Sequence, residues 1–120
     1  ISRRRALAEI YDERLSQTGL TLPAEEEWNF HAYYLYVCRH EKRDAIINAL
    51  KEKDIFVNIS YPWPIHTMKA YEALGYKQGD LPHTELAANQ IFSLPMYPLL
   101  GRDQQEYVID VLKAIVRQLD

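Results

Sequence analysis

The chain has 120 residues, 14 Lys+Arg against 17 Asp+Glu and 48% apolar side chains, the balance of one soluble globular domain. The single cysteine, Cys38, makes no internal disulfide. No apolar run approaches the roughly 20 residues that cross a bilayer. A formal net charge of -3 lacks the positive field that phosphate backbones demand. Secreted disulfide scaffolds, membrane spans and nucleic-acid binders are therefore excluded as first readings, and a cytoplasmic location is expected.

The first element is a helix, with apolar Ala6, Leu7, Ile10, Tyr11 and Leu15 recurring once per turn. It opens on Arg3-Arg4-Arg5, the wrong sign for the positive end of a helix dipole, although Ser2 stands where it can cap. Two readings stay open. Either the helix continues upstream, or this is a frayed start with solvated or vector-derived residues. Gly19 stops it, and Thr21-Leu22-Pro23 with the acidic run Glu25-Glu26-Glu27 reads as an exposed, solvated connection.

Tyr33 to Cys38 is an unbroken apolar block, expected as a central strand covered on both faces. Glu41 to Glu52 carries an Ala45, Ile46, Ala49 and Leu50 stripe and predicts an amphipathic helix. Ile55 to Ile59 is β-rich and predicts a second strand, closed by Pro62 and Pro64. A short helix follows over His66 to Leu74, ended by Gly75 and Gly79. Asp80 is placed to cap a further helix to about Gln90, with Pro82 in its first turn. Ile91 to Leu94 predicts a third strand. Arg102 to Leu119 then gives the strongest periodicity, with Tyr107, Val108, Val111, Leu112, Ile115, Val116 and Leu119 on one face. The expected class is α+β, a small mixed or antiparallel sheet of about three strands covered by helices.

Generic catalytic motifs are missing. The four glycines fit no phosphate loop, no serine sits in a G-x-S-x-G elbow, and His40-Glu41-Lys42-Arg43-Asp44 lacks the second histidine of a zinc site. His40 is read as part of a helix start, and Cys38 as a neutral buried thiol. What stands out is Ser60-Tyr61-Pro62-Trp63-Pro64-Ile65-His66. Two prolines stiffen a loop that carries two aromatic rings and an imidazole, groups able to stack on a ring or exchange a proton. The plainer reading is a hydrophobic plug in which His66 begins a helix.

Four blocks, His31-Ala32-Tyr33-Tyr34-Leu35-Tyr36-Val37, Ile59 to His66, Gly79-Asp80-Leu81-Pro82-His83-Thr84-Glu85 and Ser93-Leu94-Pro95-Met96-Tyr97-Pro98, followed by the terminal helix, resemble the C-terminal region of the DegT/StrS family of pyridoxal-phosphate (PLP) sugar aminotransferases. The resemblance implies the small domain of a fold-type-I aminotransferase, with residues 1–20 ending an interdomain helix and residues 21–120 forming the small domain. Such enzymes pass an amino group from glutamate to a keto sugar on a nucleotide and act as homodimers, with PLP held by a large domain that this chain would lack. Lys42, Lys51, Lys53, Lys69, Lys77 and Lys113 all lie outside the family's lysine motif, so no catalytic residue carries over. His66 and Tyr61 match the Y-P-x-P-x-H stretch that implies substrate contact, with Trp63 in a variable slot between them. Glu85, Pro95 and Pro98 match positions read as structural, and Tyr34 departs from a histidine common in relatives. The chain alone is then expected to be inactive and free of cofactor. The alternative is a free-standing, non-catalytic binding or regulatory module derived from such a domain.

Overall fold

In the computed structural model, which describes residues 1–119, three helices enclose a two-stranded ribbon, and a long excursion leaves and returns to it. The elements are α1 (Ser2–Leu15), β1 (Tyr36–Arg39), α2 (Arg43–Lys51), α3 (Pro82–Gln90), β2 (Ile91–Leu94) and α4 (Arg102–Leu119). Two short 3-10 turns, Ile65–Thr67 and Lys69–Leu74, lie on the excursion. The α+β class and the antiparallel sheet hold.

The strands pair Tyr36 with Leu94, Val37 with Ser93, Cys38 with Phe92 and Arg39 with Ile91. Alternation puts Tyr36 and Cys38 of β1 in the core, while Val37 and Arg39 are half-buried, so the strand is fully covered on one face only. It also starts three residues later than expected, because Tyr33 has φ +47° and turns the chain. The strand expected at Ile55 to Ile59 reduces to a single bridge, Asn58 to Ser93. Asp54 in the left-handed region reverses the chain just before this segment, and Pro62 and Pro64 follow it. A second bridge, Thr21 to Arg39, lies on the outer side of β1.

The core is built where the sequence periodicity is strongest. Ala8, Tyr11 and Leu15 of α1, Ile46 and Leu50 of α2, and Val108, Ile109, Leu112, Ile115 and Val116 of α4 close over Tyr36, Cys38, Phe92 and Leu94. Tyr107 leaves the predicted face: it is exposed, and its hydroxyl donates to the Lys53 carbonyl at 3.1 Å. Gln105 is buried instead, donating to the Leu7 carbonyl at 2.7 Å and so tying α4 to α1. Gln104 accepts the Gly101 N–H at 3.1 Å and caps the start of α4.

Of the N-terminal arginines Arg3 is exposed, whereas Arg4 and Arg5 are half-buried and tied down. Ser2 is already helical and makes no cap. Arg4 donates to the carbonyls of Tyr33, Tyr34 and Met96 at 2.7–3.1 Å. Arg5 forks onto both Glu25 oxygens at 2.7 and 3.0 Å, reaches the His31 carbonyl, and lies 4.4 Å over the Phe30 ring. Glu25 thus leaves the solvated acidic run, and Arg5 holds its carboxyl below the usual carboxylate range.

Candidate functional site

The excursion begins after Asn58 and ends in α3, and its course follows from proline and glycine. Pro64 is extended, at φ and ψ of -60° and 133°; the helix expected from His66 to Leu74 breaks at Met68, whose φ and ψ of -73° and 135° are extended. Gly75, at φ +81°, closes the second turn in the left-handed conformation that a side chain resists. Pro82 takes the first position of α3, as expected. Asp80 does not cap that helix; its carboxylate accepts the Lys77 N–H at 2.9 Å and closes the preceding turn.

This path separates the three sequence candidates. Tyr61 and Trp63 are 73% and 69% exposed, whereas His66 is only 7% exposed. Tyr61, Trp63, Pro64, Ile65 and Met68 form one wall of a groove of about 490 Å³, and His83, Thr84, Ala87, Ala88 and Ile91 form the other. The groove is a mostly apolar slot with a few polar groups at one side, the kind of surface that receives a flat ring. His66 stands behind the wall, and its Nε2 lies 2.8 Å from Glu85 Oε1. Hydrogen bonding from His66, helped by the Gly79 and Leu81 N–H groups, outweighs burial and holds the Glu85 carboxyl below its usual range. Ionised Glu85 only accepts, so Nε2 carries the hydrogen and His66 is held in one tautomer.

Glu85 is the site residue that sequence reasoning undervalued. It stands in a matched block whose position reads as structural; its partnership with a histidine 19 residues away is set by the return of the excursion. Cys38 is fully buried and its thiol is pushed up to about 12, chiefly by burial, so it is no nucleophile. His40 Nδ1 accepts the Lys42 N–H at 3.0 Å, which fits the helix-start reading. Among the described residues no His, Cys, Asp and Glu cluster suits a metal ion.

A PLP group requires a lysine for its aldehyde, donors for its phosphate and a carboxylate toward its ring nitrogen. The groove lining holds no lysine, arginine or carboxylate. Lys69 and Lys77 lie beside a second groove of about 450 Å³ and are exposed, and Lys42 is engaged with the Leu119 carbonyl. The groove beside Tyr61 and Trp63 therefore does not fit the cofactor on its own.

Residues 1–113 match the DegT/DnrJ/EryC1/StrS aminotransferase family. A dTDP-3-amino-3,4,6-trideoxy-alpha-D-glucose transaminase from Micromonospora megalomicea is 45% identical over 99% of this chain and 33% of its own length. The crystal structure of Streptomyces venezuelae DesV in complex with a ketimine intermediate superposes with a TM-score of 0.94 at 33% identity, over 99% of this chain and 32% of that one. NtdA from Bacillus subtilis, solved with bound PMP, superposes at 0.82 with 27% identity over 97% and 28%. The chain thus spans about a third of the length of the relatives it matches. A family model that takes in both the Pro62–His66 loop and most of α4 leaves one conclusion: this chain belongs to the DegT/DnrJ/EryC1/StrS aminotransferase family.

Proposed function

We propose that this chain is the C-terminal small domain of a PLP-dependent aminotransferase that moves an amino group from glutamate to the keto sugar of a nucleotide-sugar. The cofactor is held by a larger portion of the protein beyond these residues, and the working enzyme is a cytoplasmic homodimer. The observation that carries the reading is the near-complete superposition on the Streptomyces venezuelae structure, at a TM-score of 0.94. The Micromonospora relative, which shares 45% of its aligned residues, bears the name of a dTDP-sugar transaminase, so a dTDP-linked keto sugar is the first substrate to try.

In this reading Tyr61, Trp63 and His66 are the substrate-binding residues. Trp63 and Tyr61 offer ring faces and a hydroxyl donor along the groove wall, suited to one end of a nucleotide-sugar. His66 orients the Pro62–His66 loop through Nε2, and its second ring nitrogen, an acceptor in that tautomer, can take a hydrogen bond from a sugar hydroxyl. The groove is mostly apolar and excludes water from one side of the bound substrate.

The test is to join this chain to the other two thirds of the Micromonospora relative, in place of that protein's own matching third, and assay amination of a dTDP-keto sugar with glutamate. The expected result is turnover by the chimera and none by the 120-residue chain. Tyr61→Phe in the chimera should raise KM about three- to tenfold, the loss of one hydrogen bond of roughly 1 kcal/mol. A folded chimera that holds PLP but does not aminate the sugar contradicts the reading and favours a non-catalytic binding module.

A further inference from the structure

The excursion is an unusual piece of chain. From residue 60 to residue 81 it contains one buried side chain, His66, and contributes nothing to the core cluster. Apart from those that involve Glu85, the hydrogen bonds of this segment are local among the described residues, joining positions no more than three apart, as from Thr67 to the Pro64 carbonyl, Met68 to Ile65, Tyr71 to Met68, Gly75 to Glu72 and Lys77 to Asp80. Such bonds shape turns but do not fix a loop to its scaffold. A segment of this length without strand or core contacts is expected to move unless something else ties it down.

One carboxylate does. Glu85 lies in the first turns of α3, with its side chain only 18% exposed. Oε1 accepts from His66 at 2.8 Å and from the Gly79 N–H at 2.7 Å, while Oε2 lies 3.0 Å from the same N–H. His66 closes the end of the excursion that carries Tyr61 and Trp63, and Gly79, at φ +95°, closes the returning end. Both ends therefore converge on a single side chain of the helix that forms the opposite wall of the groove.

We propose that Glu85 is a positioning residue: by gripping His66 and Gly79 together it holds the Tyr61 and Trp63 wall at a fixed distance from α3 and so sets the mouth of the nucleotide-sugar groove. Only what the groove receives rests on the functional reading above; the clasp rests on the hydrogen bonds. Three acceptor contacts on one ionised carboxylate cooperate, and losing the acceptor frees both ends at once. Glu85→Gln retains one neutral oxygen in the place of Oε1, which accepts from both His66 and Gly79 in the wild type, so it should preserve part of the effect.

The test uses the 120-residue chain with Trp28→Phe, which leaves Trp63 as the one indole. Time-resolved anisotropy reads the motion of Trp63, and amide exchange reads Gly79. Glu85→Ala should at least double the amplitude of the fast anisotropy decay and speed Gly79 exchange tenfold or more, with helix content unchanged. Glu85→Gln should recover about half of each change. Wild-type values of both readings in Glu85→Ala overturn the proposal. If Glu85→Ala does not fold, His66→Ala decides: freer motion of Trp63 with Gly79 still protected supports the clasp, and an unchanged Trp63 overturns it. A dTDP titration of the same proteins separates the two readings. If dTDP binds, Glu85→Ala should weaken it severalfold, and equal binding by both overturns the proposal. Should dTDP not bind the wild-type chain, the functional reading loses support, while the anisotropy and exchange results still decide the clasp.

Discussion

The helix-covered ribbon and the excursion from residue 60 to residue 81 are held by opposite means. In the first, α1, α2 and α4 bury long side chains against Tyr36, Cys38, Phe92 and Leu94, and the buried Gln105 ties α4 to α1 through its Nε2 on the Leu7 carbonyl while its Oε1 has no partner among the described residues. In the second, Tyr61, Trp63, Ile65, Tyr71, Leu74 and Tyr76 are exposed, and Glu85 supplies the anchorage. The difference teaches where stability and recognition divide in this domain. A frame held by non-directional burial leaves a loop free to be set by a few directional bonds, and such loops are where binding residues collect.

The sharpest way to break the comparison is a charge in the frame. Ile115→Asp places a carboxylate among apolar neighbours of α4 and should cost more than about 4 kcal/mol, abolishing the cooperative transition in urea. Leu112→Ala, at a fully buried position, should lower stability by about 2–5 kcal/mol, read as a reduced urea midpoint with an unchanged m-value. Tyr36→Phe removes the hydroxyl that donates to Asp12 Oδ1 at 2.5 Å and leaves a partly buried carboxylate short of a donor, so a loss of about 1–2 kcal/mol is expected in the same assay. Trp63→Ala should change stability by less than about 0.5 kcal/mol despite the size of the ring, because most of that ring is already in water. A loss as large as that of Leu112→Ala would erase the distinction between frame and excursion.

Acid sharpens the comparison further. Glu85 and Glu25 have carboxyl pKa values depressed in the folded state, so each adds stability that is fully present above the unfolded value of about 4.3 and is lost as pH falls through the folded value. Asp12 acts in the opposite sense: burial raises its pKa, so the stability linked to its protonated form is lost as pH rises through that raised value. The excursion should therefore loosen before the frame unfolds on acidification below about pH 4, the ordinary carboxylate region. Amide exchange at Gly79, followed against pH, checks this, and Glu85→Gln should flatten the dependence. A profile for Glu85→Gln as steep as the wild type would assign the acid response to Glu25 and the Arg5 fork instead.

The same contrast explains what was legible in the sequence. The α4 stripe from Val108 to Val116 is periodic because burial enforces the period, and the β2 run at Ile91–Leu94 is short and apolar because the core flanks it. Apolar residues at Ile55 to Ile59 resembled a strand, yet the left-handed Asp54 and the prolines beyond leave a single bridge at Asn58. Tyr33 and Tyr34 looked like strand residues, but Tyr33 turns with positive φ and Tyr34 is exposed beneath Arg4. The arginines of α1 were the hardest to read. Arg4 and Arg5 meet main-chain carbonyls of residues 31, 33, 34 and 96, and Arg5 also Glu25, partners that composition and local pattern do not reveal. In the site, Tyr61, Trp63 and His66 were visible as a stiff aromatic loop. Which of them lines the groove and which stands behind it depended on the return of the chain through Gly79 to Glu85.

The central claim is that these residues form the substrate-facing small domain of an aminotransferase and hold no cofactor by themselves. The most direct measurement is glutamate-dependent amination of a dTDP-keto sugar, with added PLP, by the 120-residue chain and by the chimera that supplies the remaining two thirds of the Micromonospora relative. The account predicts turnover by the chimera alone, reduced by Tyr61→Phe. Turnover by the 120-residue chain without a second portion would contradict it.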